Sequence, residues 1–319
     1  MSSFYDKAVG GLPQGHSSYF ESPHGRLDPS LFDGTRLRPE VRARLLAMLE
    51  DGLQSALNMQ GMDSWLTAWL AGSGITYQWE GGEGDLDVLF GVDMPQFALA
   101  NPQYQGISEA ATADWVNTKL KEVVWPETSH TRFGQRTYEV TFFWNPGTDA
   151  TITRIKPYAA YDLYHDTWTV RPPELPEDPA KLYPREWYEA ADRDTRLAGQ
   201  IARGAARHSS VLATVDPSSA PGRNASTALE RVRAAAKELF DDIHLGRREA
   251  FGDQGHGYSD WHNFRWQHAK ATGVVTALRA LTEEARAADE ARETELYGGP
   301  IEGPDKILMR DMLRYRPGQ

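Results

Sequence analysis

"AGSGITYQWEGGEGDLDVLFGVD", residues 71–93, decides how the rest of the chain is read. Leu86, Val88, Leu89 and Phe90 have the composition of a buried strand, yet Asp85 and Asp87 interrupt them two residues apart. Side chains alternate across a strand, so both carboxylates project from one face. Two like charges side by side destabilise a sheet unless something positive sits between them, and a divalent cation would serve. Eleven residues separate Asp85 from the Gly72-Ser73 step upstream, a turn whose N–H groups can face phosphate oxygens.

The surrounding pattern is a strand–helix alternation. "RLRPEVRARLLAMLEDGL" (36–53) has helical spacing, with Pro39 suited to the first turn and Val41, Leu45, Met48 and Leu49 on one face. Residues 62–70 are short enough for either a helix or a strand. Ile75–Trp79 and Asp85–Val92 are expected to be strands around the glycine-rich turn "EGGEG". "SEAATADWVNTKLKEVVW" (108–125) is expected to be a helix capped by Ser108. "RTYEVTFFW" (136–144) follows as a β-rich run in which Glu139 is the only acid. Five prolines between residues 172 and 184 mark a boundary. Beyond it, helices are expected at 184–210, 224–246 and 259–295.

The expected organisation is therefore an irregular arm over 1–35, a catalytic domain over 36–177, a helical domain over 178–298 and a tail over 299–319. The tail carries Arg310, Arg314 and Arg316. Net charge is −11 and unevenly placed, with 23 acids against 13 bases in residues 1–177 and 22 against 21 in residues 178–319. An acidic front half argues against a broad nucleic-acid footprint there, because phosphate binding needs clustered Lys and Arg. The absence of cysteine excludes disulfide and thiolate chemistry. No run is long enough to span a membrane, and the first residues lack a basic flank followed by an apolar core, so no membrane association and a cytoplasmic location are expected.

Asp-x-Asp on one strand with a third acid on a later strand suits phosphoryl chemistry. Three carboxylates can hold two Mg²⁺ ions, which clamp a triphosphate and lower the pKa of an attacking hydroxyl. Glu139 is the expected third acid, and Asp149, in the turn "NPGTDA", is the alternative. Competing readings are blander. Asp85 and Asp87 would be solvated acids on an edge strand, Glu139 a solvent-facing strand residue, and Ser73 a helix cap. A calcium loop fails on "DLDVLFGVDMPQ", which has Phe90 where glycine is needed and Gln96 where glutamate is needed. Zinc is not expected, since His262 and His268 fall on different helix faces and no Cys is present.

The Gly-Ser step followed by Asp-x-Asp in a hydrophobic strand resembles the signature of polymerase β-type nucleotidyltransferases. The longer match is similar to predicted nucleotidyltransferases of bacteriophage genomes. It rests on Leu27–Gly34 ("LDPSLFDG"), Leu37–Arg42 ("LRPEVR"), Tyr77 with Trp79, and Tyr138–Val140 ("YEV"). It covers residues 27–175, with weaker echoes in "GHGYSDWHNFRWQHAK" (255–270). The resemblance implies an α+β fold: a polymerase β-like catalytic domain with a small mixed sheet, followed by a helical domain, with the active site between them. Asp85, Asp87 and Glu139 become ligands for Mg²⁺, or Mn²⁺, and Glu139 also the base or orienter of the acceptor hydroxyl. Such families often have Asp at that last position. Gly72 and Ser73 become the donor-phosphate turn. Lys270 is the expected triphosphate contact from the helical domain, with Asn263, Arg265 and Gln267 as alternatives to simple packing of Trp261, Phe264 and Trp266.

The implied reaction is transfer of a nucleoside monophosphate from an NTP to a hydroxyl, with release of pyrophosphate, in a bacterial host cytoplasm if the gene is a phage's. A cyclic or linear oligonucleotide synthase using the same site is the alternative enzyme. A non-catalytic nucleotide- or protein-binding module is the alternative of another class. The charge distribution favours a small acceptor, a protein side chain or a short RNA end over long nucleic acid, for which weak, sequence-independent binding is expected. Tyr77, Trp79, Trp261 and Trp266 are the aromatic residues suited to stacking bases.

Overall fold

The computed structural model describes residues 12–79, 84–145, 152 and 155–298. It is a mixed α and β protein whose chain falls into two compact units. Glu21–Asp178 form one. Pro179–Ile301, joined by the segment ending at Phe20, form the other. The arm expected over 1–35 is thus divided, its described part up to Phe20 belonging with the helices.

In the first unit a short hairpin, β1 (Phe32–Asp33) and β2 (Arg36–Leu37), precedes α1 (Pro39–Leu57). Pro39 opens α1, where its missing N–H satisfies no helical bond in any case. Asn58, in the left-handed region, closes the helix by donating its N–H to Gln54 O. The chain continues through β3 (Leu66–Ala71), β4 (Gly84–Val92), α2 (Met94–Ala100) and α3 (Glu109–Lys119) to α4 (Trp125–Thr128). Four strands follow: β5 (Thr131–Phe133), β6 (Arg136–Trp144), β7 (Ala160–Asp162) and β8 (Thr167–Val170). The helix expected over 108–125 is interrupted by a π-helical segment, Leu120–Val124. Pro126 supplies no N–H to the turn before it, which accounts for the widening there.

The sheet runs β5-β6-β4-β3-β7-β8, with β4 and β6 parallel and every other pair antiparallel. Alternation sends Leu86, Val88 and Phe90 of β4 and Val140, Phe142 and Trp144 of β6 to one face. They pack with Val41, Leu45, Leu49 and Leu53 of α1 into the main core. The antiparallel neighbour of β4 is β3, not Ile75–Trp79 as expected. After β3 the chain turns at Gly72, forms a 3₁₀ turn at Ser73–Ile75 and runs on without pairing in the sheet. Ile75 is buried by packing, while Thr76 Oγ1 donates to Ser73 O and Gln78 Nε2 to Glu21 O. Apolar and β-branched composition there reflects a packed loop.

The second unit contains α5 (Arg185–Leu212), α6 (Ala220–Ala250), α7 (Trp261–Ala271) and α8 (Val274–Tyr297). One helix was expected over 259–295, but Gly273, at φ +78°, divides it. A Cβ at Gly273 would stand 1.9 Å from Pro13 O, and one at Gly15 would stand 2.0 Å from Lys270 O. The N-terminal segment therefore crosses the α7–α8 junction at backbone contact distance, which only glycines permit. Ser17 Oγ then donates to Gln267 Oε1 and Tyr19 OH to the carbonyl of Tyr258. Tyr19, Phe20, Tyr183, Tyr188 and Phe264 form an aromatic cluster with Trp187 and Trp261.

Three tyrosines of the first unit set an alkaline limit on stability. Burial pushes Tyr104 up to about 12. Burial, then hydrogen bonds to Asp28 and Glu50, push Tyr138 and Tyr164 further above the ordinary phenol value. The unfolded chain loses these protons near pH ~10 while the folded chain keeps them. Their stabilising effect is therefore whole below that pH and is lost as pH rises through the folded values. The urea midpoint is expected to fall steadily above pH ~10. An unchanged midpoint through that range would contradict it.

Candidate functional site

The face of the sheet opposite the main core carries the acids. In the parallel register Asp85 stands beside Glu139 and Asp87 beside Thr141. Parallel strands lie ~4.8 Å apart, so three carboxylates and a hydroxyl share one small patch. Alternation is the cause: the neighbours Leu86, Val88, Val140 and Phe142 are buried, which turns Asp85, Asp87, Glu139 and Thr141 outward. Thr141 Oγ1 donates to Asp87 Oδ1 over 2.9 Å, and Trp125 Nε1 donates to Glu139 Oε1 over 2.8 Å. Trp125 remains 39% exposed and Phe143, two residues along from Thr141, 45%. Aromatic surface thus accompanies the acids on a side open to solvent.

The turn after β3 abuts the same acids. Ala71 pairs with Asp87, so the chain leaves the sheet beside that carboxylate. Gly72 has φ +94°, and a Cβ on it would stand 3.0 Å from Asp87 Oδ2. A Cβ at Gly74 would stand 2.5 Å from the carbonyl oxygen of Asp85. Ser73 between them is exposed. The Gly72-Ser73 step and the Asp85-x-Asp87 pair, separated in sequence, are one place in the fold.

The donor set has the chemistry of a site for a hard divalent cation: carboxylate oxygens, a neighbouring hydroxyl and no nitrogen or sulfur. Among the described residues no three acidic or histidine side chains are already gathered around one point. Glu139 and Asp87 each have an oxygen engaged by Trp125 and Thr141 instead.

Beneath the β5–β6 edge lies a second polar group. Asp28 is 1% exposed. Its Oδ2 forms an ion pair with Arg136 and accepts a 2.6 Å hydrogen bond from Tyr138 OH, while Oδ1 accepts from Ser30 N. The Arg136 guanidinium also lies 4.9 Å from the Trp79 ring, on which His24 stacks at 4.1 Å. "LDPSLFDG", "YEV" and the aromatic Trp79 thus meet through Asp28, Tyr138 and Arg136. This group fastens residues 24–30 to the start of β6.

Lys270 lies on the exposed side of α7 in the helical unit. The alternatives around it are occupied internally. Asn263 Nδ2 donates to Tyr258 O, Gln267 accepts from Ser17, and Arg265 pairs with Asp194 and Asp242. Trp266 and Phe264 are core residues of the helical unit itself. Asp149 and the arginines at 310, 314 and 316 lie outside the described residues. Sequence reasoning missed Thr141 and Trp125. The first shared the period-two spacing of Glu139 and was legible on that ground; the second is brought to Glu139 only by the chain's path through the π-helical segment.

Among the described residues no helix is long and apolar enough to cross a membrane. Comparison of the chain with family models, curated proteins and solved structures finds no match to any of the three.

Proposed function

We propose that the Glu21–Asp178 unit is a polymerase β-type nucleotidyltransferase, moving a nucleoside monophosphate from an NTP to a hydroxyl acceptor and releasing pyrophosphate. The observation that carries this reading is the β4–β6 register, which sets Glu139 beside Asp85 while the Gly72-Ser73 turn abuts Asp87. Solvated acids scattered on an edge strand would not explain it, because β4 is central in the sheet.

In this reading Asp85, Asp87 and Glu139 hold Mg²⁺, which supplies charge neutralisation of the triphosphate and acidification of the acceptor hydroxyl. The backbone of Gly72 and Ser73 binds the terminal phosphates. Thr141 orients the Asp87 carboxylate. Trp125 holds Glu139 aside until substrate arrives, and the ring it leaves exposed, with Phe143, offers a stacking surface for a base or acceptor. Glu139 takes the acceptor's proton. The leaving pyrophosphate departs with the bridging electron pair, so the balance is one phosphoanhydride bond broken and one phosphoester bond formed.

The test is incubation with Mg²⁺ or Mn²⁺ and each α-labelled NTP in turn, with and without total bacterial RNA and protein. Label is expected to move to one acceptor class; retention of all label in every NTP would overturn the reading. Glu139→Gln is expected to lower turnover about a hundredfold while leaving NTP affinity nearly unchanged. Asp149→Asn is expected to change neither turnover nor NTP affinity. The reverse result would make Asp149 the third acid.

A further inference from the structure

We propose that the face formed by α6, α7 and α8 binds the phosphodiester backbone of a short single-stranded nucleic acid through Arg247, Arg248 and Arg279, with His244. The inference does not rest on the nucleotidyltransferase reading, and it concerns the helical unit alone. Rings tie the cluster together across the three helices. The Arg247 guanidinium lies 4.9 Å from the Trp266 ring and that of Arg279 lies 6.0 Å from Phe240. His244 stacks on Phe240 at 5.8 Å and approaches Trp266 at 5.6 Å.

Arg185, Arg233, Arg265, Arg286 and Arg292 all form ion pairs with carboxylates. Arg247, Arg248 and Arg279 form none among the described residues. Arg193, Arg196, Arg207, Arg223 and Arg231 of the same unit also form no ion pair there, but Arg247 and Arg279 combine that with a position over a ring. Of the nearby acids, Asp241 is engaged by Lys237, Asp242 by Arg265 and Glu284 by Arg233, while Glu249 and Glu283 pair with none of the three arginines. The excess positive charge registers on His244, whose titration is lowered first by burial and then by Arg247, Arg248 and Arg279, against a smaller opposing effect of Asp241. The patch is locally positive in a chain of net charge −11.

The geometry selects the ligand. A guanidinium associated with a ring keeps its N–H edge for bidentate bonds to phosphate oxygens, and it is held in place beforehand. Packed helices lie ~8–10 Å apart, so arginines on α6 and α8 together span more than one inorganic phosphate. A phosphodiester strand carries charges at several points along that span. His244 is exposed and Phe240 half-buried, and both rings are suited to stacking an unpaired base. An acidic peptide shares the charge but not the planar bases.

The experiment is fluorescence anisotropy with labelled oligouridylate and oligothymidylate of about 12 nucleotides, without NTP or divalent metal, over about 50 to 200 mM salt. Binding is expected, with a log–log salt slope near about −2 for three contacts to a single strand. The doubly exposed variant Arg248→Gln, Arg279→Gln is expected to weaken binding about tenfold and to lower the slope by more than about one. Arg247→Gln is expected to act in the same direction. The paired surface variant Arg286→Gln should change neither quantity. Circular dichroism on each variant checks folding. No binding by the unaltered chain, or binding unchanged in the double variant, would overturn the proposal. So would poly-glutamate or anionic lipid vesicles binding as tightly through the same arginines.

Discussion

Asp85→Asn together with Asp87→Asn is expected to reduce nucleotidyl transfer by about a thousandfold or more, the loss of roughly 4 kcal/mol of transition-state stabilisation. Asn keeps the size and outline of each side chain and removes only the charge. Thr141 can still donate to the carbonyl oxygen of an amide at position 87, as it does to Asp87 Oδ1. Folding should therefore survive. Removing the charges also relieves repulsion among Asp85, Asp87 and Glu139, neighbouring carboxylates on adjacent strands. Loss of activity without loss of stability distinguishes a working site from a structural one. Transfer of label from an NTP at the unaltered rate would end the nucleotidyltransferase reading. A sharp drop in the urea midpoint would instead mark the pair as structural.

Asp28→Ala is expected to be strongly destabilising, at about 3–5 kcal/mol. The reason is what it leaves behind. Arg136 is drawn to the buried Asp28 carboxylate, and Tyr138 OH donates to the same oxygen. Removing the acid takes from a largely buried guanidinium and a phenol hydroxyl the carboxylate they share. Asp28→Asn, which still accepts a hydrogen bond, should lose less. Tyr138→Phe should lose about 1 kcal/mol, the usual net value of one such bond. Equal urea midpoints for Asp28→Ala and the unaltered chain would show that the group is not what fastens residues 24–30 to β6.

The placement of the candidate site's residues was largely legible because it obeys local rules. The period-two placement of Asp85 and Asp87 could be read without knowing any partner, as could the outward phase of Glu139 in "RTYEVTFFW". Ile75–Trp79 was misread because a packed loop and a strand share apolar, β-branched composition; the turn at Gly72 and burial against neighbours decide between them. The single helix expected over 259–295 failed for a different reason. Glycine is tolerated within a helix, and Gly273 ends one here because another stretch of chain must pass within contact of its backbone.

By itself, then, the sequence determined where the chain forms α1, β4, β6, α5 and α6, and which side chains of β4 and β6 face away from the core. Those properties depend on residues a few positions apart. Tertiary structure alone decided that β6 lies parallel to β4 with Glu139 beside Asp85, that Trp125 bonds to Glu139, and that Arg247 lies over Trp266 and Arg279 over Phe240. It also decided that residues 12–20 fold with the helices that follow residue 178. Each joins parts of the chain that are separate in sequence, and strand or helix periodicity says which face is buried without saying against what. The choice of partner is set by the packing of whole faces and the close approaches that glycines permit.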